Sequence, residues 1–155
     1  MTQCHDMSKR FDIPAHDILR NAGERATPAR EVVLDILLDA ASALTHQEIE
    51  QSARERGLSA DRVTLYRVLD WLVARRLAHR IAGEDRVWRF NAAGPEAHGH
   101  AHFHCTECGQ VFCLNDLQPA LGFNLPKGFR FERAELTIQG LCPDCAKPVR
   151  PGKKK

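Results

Sequence analysis

The sequence predicts an α+β protein of two domains, a helical N-terminal domain that ends in a β-hairpin and a smaller C-terminal α/β domain held by a metal site. Two observations predict this division. Apolar residues recur at helical spacing in the first half, whereas two Cys-x-x-Cys pairs and short alternating segments occupy the second. Because Ala, Gly and Pro dominate residues 91–99, we place a hinge there, between domains at 1–90 and 100–148. Residues 149–155 are expected to be a disordered tail.

Two helices of the N-terminal domain have clear start signals. Thr27 is a natural N-cap with Pro28 at the first helical position. Thr45 and Glu48 have the spacing of a capping box, which predicts the start of a second helix. A short leading helix is expected at residues 15–21.

A third helix is predicted at about residues 61–76. Three of its polar residues lie largely off the apolar side: Arg62, Thr64 and Arg67. Residues 77–81 and 86–90 then alternate like two strands around a Gly-Glu-Asp turn. Helix, turn, helix and then a hairpin is the element order of a winged helix.

The composition narrows the class of protein. An apolar content of 43% suffices for one ordinary domain or two small ones. The sequence contains no apolar run of about 18 residues and begins with polar residues, so we expect a soluble cytoplasmic protein without a membrane partner. The net charge is only +2, so a nucleic-acid surface would have to be a local patch.

Two cysteine pairs carry the strongest chemical signal. Two residues separate Cys105 from Cys108, and two separate Cys142 from Cys145. Such spacing lets a tight turn direct both sulfurs at one ion, and two turns complete the tetrahedron that Zn²⁺ prefers. We therefore predict a structural zinc site of four thiolates. Disulfides or a redox dithiol are the alternatives; a reducing cytosol disfavours the first, and the second leaves one pair without a role.

A histidine-rich segment precedes the first pair. His98, His100, His102 and His104 alternate with other residues, and alternate residues of a strand share a face. Their imidazoles suit a borderline or transition metal, to which Cys113 could add a thiolate. The alternatives are a solvated linker and, for Cys113, a simple core position.

The remaining pattern of the C-terminal domain predicts three strands and one short helix. The strands are expected at residues 101–105, 110–114 and 129–139, and the helix at residues 116–121.

Together these features resemble the ferric uptake regulators, a family of bacterial metal-responsive repressors. The resemblance covers about residues 22–146 and rests on four features: Arg25-Ala26-Thr27-Pro28-Ala29-Arg30, Val63-Thr64-Leu65-Tyr66-Arg67-Val68-Leu69, the histidine-rich strand and both cysteine pairs. It implies a homodimer whose winged helices read an inverted DNA repeat and whose C-terminal halves pair through a mixed sheet. Pro119, Gly122 and Pro126 interrupt the stretch where relatives carry a longer helix, so that helix must be short or broken.

The resemblance also implies which residues bind DNA. Tyr66 is similar to a recognition-helix residue that packs on thymine methyls, and Arg67 to one that reaches phosphates or base edges. Arg62 and Thr64 belong to the same predicted surface. Two further basic residues, Arg25 and Arg30, resemble ones that touch the DNA backbone or minor groove. The alternatives are a half-buried core aromatic and solvated arginines.

A regulatory metal site is a further implication. The family's iron or manganese ligand positions fall on Ala43 and Arg89, which are not ligands, and on Cys113. The zinc uptake branch is the better match, because its ligand histidines correspond to His79 and His98. The predicted regulatory set has a nitrogen and sulfur character that favours zinc: His79, His98, His100, His102 and Cys113.

We therefore predict a zinc-responsive transcriptional repressor of metal uptake genes that is not an enzyme. It would hold a structural Zn²⁺ and a second divalent metal, also expected to be Zn²⁺, which favours the DNA-binding dimer. An iron- or peroxide-responsive regulator of the same family is one alternative. A zinc-ribbon interaction module or a zinc enzyme is another, although four cysteines leave zinc no open coordination position.

Overall fold

A computed structural model describes residues 13–93, 101–114, 117, 122, 124–131 and 134–147. These residues form four helices and two three-stranded sheets. The chain divides into two compact units, residues 1–98 and 99–155. None of the helices in the described ranges has the length and apolar character that crossing a bilayer requires.

The helices are α1 (Ala15–Asn21), α2 (Pro28–Asp39), α3 (His46–Glu55) and α4 (Arg62–Ala74). The strands are β1 (Leu44–Thr45), β2 (Ala78–Ala82), β3 (Trp88–Ala92), β4 (Ala101–Cys105), β5 (Val111–Leu114) and β6 (Leu136–Gly140). The predicted leading helix is confirmed as α1.

The predicted helix starts are confirmed by their hydrogen bonds. The Thr27 hydroxyl accepts the Arg30 amide at 3.4 Å, with Pro28 in the first turn. At the start of α3 the Thr45 hydroxyl accepts the Glu48 amide at 3.3 Å, and the Glu48 carboxylate accepts the Thr45 amide at 2.7 Å. These bonds satisfy amides that lack partners within the helix.

Helix α4 ends two residues earlier than predicted. Arg76 takes a left-handed conformation with φ of 60°, which a continuing helix cannot contain. The amides of Arg76 and Leu77 then bond back to the carbonyls of Val73 and Leu72 at 3.0 and 2.9 Å, closing the helix end. The turn releases the chain into β2.

The predicted hairpin forms, but its second strand begins at Trp88 and runs into the predicted hinge. Arg86 has a φ of 62°, and the Gly83 amide bonds to the Val87 carbonyl at 3.1 Å, so the turn occupies residues 83–87. Ala78 consequently lies opposite Ala92. The two-residue strand β1, which the sequence did not predict, adds to the other edge of β3 and gives the order β1-β3-β2.

The core of the N-terminal unit joins α1–α4 to this sheet. Its members share burial of the whole side chain, which stabilises the fold by about 1.5–3 kcal/mol for each large aliphatic residue. The largest are Leu19, Leu34, Leu37, Ile49, Leu65, Leu69 and Leu72. Burial of this set leaves the opposite face of α4 free for solvent.

The C-terminal unit contains a mixed sheet of order β5-β4-β6. Strand β4 pairs antiparallel with β5 and parallel with β6, and its predicted bounds are confirmed. The long strand predicted at 129–139 is wrong at its start, because the Phe129 amide bonds to the Pro126 carbonyl at 3.2 Å in a turn. The predicted helix at 116–121 lies outside the described residues, except Leu117.

Candidate metal centres and nucleic-acid interface

The four paired cysteines converge on one point. Their sulfurs all lie within 4.8 Å of one another, and Cys108 Sγ is 3.9 Å from Cys142 Sγ. A tetrahedral zinc site with Zn–S bonds of about 2.3 Å has sulfurs about 3.8 Å apart. All five cysteines among the described residues are free thiols, so the disulfide alternative is not found. The donor set and spacing fit a zinc ion.

Backbone pairing explains why the two turns meet. Cys105 ends β4, and its parallel neighbour β6 ends at Gly140, just before Cys142. The Thr106 amide bonds to the Gly140 carbonyl at 2.8 Å, which joins the two turns directly. Gly109 closes the first turn with a φ of 71°, a conformation that glycine adopts without steric cost.

The thiols of this cluster differ in acidity. Backbone amides of Cys108 and Cys142 directed at Cys105 Sγ lower the pKa of Cys105 to about 6. Hydrogen bonding with the Cys142 thiol, together with burial, raises the pKa of Cys145 to about 12. Four thiolates this close repel one another, and a divalent cation offsets that repulsion. A divalent cation would therefore stabilise the four sulfurs in this arrangement as thiolates.

A second group of soft ligands lies in the C-terminal sheet. His102 of β4 lies directly opposite Cys113 of β5, so both side chains occupy one face. Both are buried, and a His102 ring nitrogen lies within 4.8 Å of Cys113 Sγ. His98 and His100 lie outside the described residues. His104 is also buried and pairs with Val111 in register.

The other predicted ligand, His79, belongs to the N-terminal unit. It is half-buried on β2 and lies opposite Asn91 of β3, which is only 2% exposed. The burial of Asn91 opposite His79 was not predicted, because residue 91 was assigned to the hinge. Arg89 is fully engaged elsewhere, since its guanidinium donates to both Asp85 carboxylate oxygens at 2.9 and 2.8 Å. This pairing raises the pKa of Arg89 and agrees with its exclusion as a metal ligand.

Helix α4 presents the predicted DNA-binding residues on its solvent side. Arg62, Tyr66 and Arg67 are exposed, and Tyr66 retains 44% of its accessible surface. Thr64 is half-buried, and its amide is capped by the Asp61 carboxylate at 2.6 Å. The exposed side of α4 thus combines two guanidinium groups with one aromatic ring.

Arg25 and Arg30, the other two arginines predicted to contact DNA, have different surroundings. Arg25 is exposed, and its carbonyl accepts a 2.9 Å hydrogen bond from the Arg30 guanidinium. Arg30 also lies over the Trp71 ring, 3.6 Å from its centre, in a cation–π contact that joins α2 to α4. The Arg30 guanidinium therefore has a structural role in this unit.

A further residue was missed at the start of α3. The His46 ring stacks on Tyr66 with 3.6 Å between ring centres and 19° between planes. In the sequence, the one notable feature of His46 is its position directly after the Thr45 N-cap. That position does not indicate which residue of α4 the ring contacts.

Comparison with known proteins identifies the family. The profile of the ferric uptake regulator family matches residues 21–120. The chain belongs to the ferric uptake regulator family. It is 31% identical to the transcriptional regulator FurA of Mycobacterium tuberculosis, over 83% of this chain and 87% of that protein. Members are transcriptional regulators and not enzymes, so this regulator is a metal-responsive transcription factor.

Two other relatives represent different branches of the family. The peroxide-responsive repressor PerR of Staphylococcus saprophyticus is 27% identical over 82% of this chain and 86% of its own. A solved zinc uptake regulator, complexed with zinc and DNA, is similar with a TM-score of 0.62 and 25% identity, covering 84% of this chain and 89% of that chain. Overall similarity therefore does not distinguish zinc, iron and peroxide regulators.

Proposed function

We propose that this family member is a zinc-responsive, DNA-binding repressor of metal uptake genes. The observation that carries the zinc assignment is the buried pairing of His102 with Cys113. An imidazole and a thiolate are ligands that zinc favours, whereas iron and manganese sites use more oxygen. His79, His98 and His100 complete the proposed set.

The structural ion of the proposal is a zinc held by the four paired cysteines. Such a site leaves no open position for substrate, so its contribution is to hold the turns after β4 and β6 together. The thiolates lose protons on binding, which makes zinc affinity dependent on pH.

In the proposal α2, α3, α4 and the β2–β3 hairpin act as a winged helix with α4 in the DNA major groove. Tyr66 would contact thymine methyls, while Arg62, Thr64 and Arg67 bind phosphates or base edges. The exposure of Tyr66, Arg62 and Arg67 supports this role. Arg25 and Arg30 would contact the backbone or minor groove.

The proposed assembly is a cytoplasmic homodimer that binds an inverted repeat. Several apolar side chains of the C-terminal unit are exposed in the single chain, among them Leu125, Phe129 and Leu141. Apolar surface of this kind is typical of an interface that a partner covers. Two-fold symmetry would then match two recognition helices to two half-sites.

The regulatory step is a linkage between metal and DNA. A ligand from the N-terminal unit, His79, would act with ligands from the C-terminal unit, so metal binding selects dimer geometries that fit the operator. Because the coupling is reciprocal, operator DNA must also raise the affinity of this metal.

A mobility-shift titration tests the function. We expect a duplex enriched from a random-sequence pool to bind with added zinc and to dissociate after mild chelation. Substituting Cys113→Ser should raise the zinc concentration for half-maximal binding at least about tenfold, since a ligand is lost. Cys4→Ser removes a thiol that belongs to neither cysteine pair nor to the proposed regulatory set, so it is the matched control and should behave as wild type.

The same titration separates the alternatives. DNA binding that needs iron or manganese, or that hydrogen peroxide abolishes, would favour the alternative of an iron- or peroxide-responsive regulator. Binding that is indifferent to all these metals would contradict the regulatory proposal.

A further inference from the structure

The His46–Tyr66 stack joins the start of α3 to the exposed side of α4. His46 is the first residue of α3, directly after the Thr45 capping box. Its ring lies on the Tyr66 ring at 3.6 Å between centres and almost parallel to it. The capping box fixes the backbone conformation at the start of α3, so the Cα and Cβ atoms of His46 are held in place.

The surroundings of His46 are unusual for a buried histidine. Only 7% of the residue is exposed, and among the described residues neither ring nitrogen has a hydrogen-bond partner. Leaving buried polar atoms unpaired is unfavourable, so such a residue calls for an explanation. Among the described residues, the aromatic ring that stacks on His46 is Tyr66.

Stacking on His46 restricts the orientations that the Tyr66 ring can adopt. An exposed tyrosine on a helix can rotate about its side-chain bonds, and fixing it at an interface costs free energy on binding. With one face covered by His46 and 44% of its surface still accessible, Tyr66 is oriented before it meets a partner.

We propose that His46 is a positioning residue that fixes the Tyr66 ring for contact with a thymine methyl and so helps to set base preference. This inference rests on the proposed function, in which α4 reads DNA. Charge supports it. Burial and the nearby Arg62 lower the pKa of His46, against a smaller opposite effect of Glu50, and thereby keep the ring neutral. A neutral ring acts by its shape and not by attracting phosphates.

Two apolar substitutions separate stacking from other roles. His46→Phe keeps a flat ring, and His46→Leu keeps a similar volume without one; neither leaves a polar atom unpaired. The probe is a duplex enriched by the wild-type protein with zinc, in which single thymines are replaced by deoxyuridine. Zinc content and thermal unfolding check that each variant folds.

The expected results are specific. Loss of the contacted methyl should weaken wild-type binding about fourfold per half-site. His46→Phe should keep this penalty and bind within about twofold of wild type. His46→Leu should bind about three- to tenfold more weakly and lose most of the deoxyuridine penalty, with an unchanged salt dependence, since no phosphate contact is removed.

Two outcomes would overturn the inference alone. The first is that His46→Leu keeps the full deoxyuridine penalty and wild-type affinity, and the second is that His46→Phe loses as much affinity as His46→Leu. Either result leaves α4 as the element that reads DNA and removes His46 from the positioning role. If Tyr66→Ala costs no affinity, or if no duplex is enriched, the proposed DNA reading fails and the inference fails with it.

Discussion

At the scale of single residues, hydrogen-bond partners, nearby charges and burial together determine the acidity of each titratable group. Cys105 is buried among backbone amides that favour its thiolate, whereas Cys145 is held as a thiol by its neighbours. His46 is buried beside a guanidinium and is held neutral. Sequence spacing predicted the first two as zinc ligands, but nothing in the spacing distinguishes their acidities, which depend on the direction of nearby dipoles.

Cys105→Ser tests the structural zinc. The serine hydroxyl is a much weaker zinc ligand than a thiolate, so we expect one zinc fewer per chain and loss of cooperative unfolding in the C-terminal unit. Elemental analysis and thermal unfolding measure both effects. Cys4→Ser is the control, and a Cys105→Ser protein with full zinc content would contradict the site.

His46 predicts a pH dependence of stability. Its pKa is lowered in the folded chain, so below about pH 6.5 the unfolded chain binds a proton that the folded chain resists. The contribution of His46 to the free energy of unfolding should therefore be constant above about pH 6.5 and should fall as the pH drops further, by at most about 1.4 kcal/mol per pH unit.

Urea unfolding of wild type and His46→Phe at several pH values isolates this contribution, because all other groups are shared. The stability difference between the two proteins should be constant at neutral pH and should shift in favour of His46→Phe in acid. A difference that does not change with pH would show that His46 ionises as freely as in the unfolded chain.

At the scale of elements, local hydrogen bonds set the helix starts and backbone conformation sets their ends. Thr27, Thr45 and Asp61 each cap a helix with a side-chain oxygen. Such caps depend on residues adjacent in sequence, which is why the Thr27 and Thr45 starts could be predicted. Arg76 and Arg86 adopt positive φ although neither is glycine, so the end of α4 and the start of β3 were misjudged.

Thr45→Ala tests the cap of α3. Losing the hydroxyl leaves the Glu48 amide without its partner and should lower the free energy of unfolding by about 1 kcal/mol. Ser59→Ala, at an exposed position outside any helix, is the control and should change stability by less than about 0.5 kcal/mol. Equal effects of the two substitutions would mean that the cap contributes little.

At the scale of the whole molecule, a single chain leaves apolar surface uncovered. Phe129 is 69% exposed, and Leu125 and Leu141 are about half exposed, all in the C-terminal unit. Side chains of this kind stabilise a protein only when something buries them, which a second copy of the chain would do in the proposed dimer.

Phe129→Glu tests that assembly. A carboxylate at an apolar interface must be desolvated, so we expect the dimer dissociation constant to rise at least about tenfold. Sedimentation equilibrium measures it with zinc present. Lys127→Glu, which also adds a negative charge to the exposed segment, is the control; similar weakening by both would indicate a general charge effect.

By itself, the sequence determined the family motifs, the capped helix starts, strand β4 and the four cysteines, because each depends on residues a few positions apart. Tertiary structure decided which distant residues meet. The register of β4 with β5 pairs His102 with Cys113, parallel pairing of β4 with β6 brings the two cysteine turns together, and packing of α3 against α4 stacks His46 on Tyr66. Such contacts depend on strand register and helix packing across long separations, which local spacing does not encode.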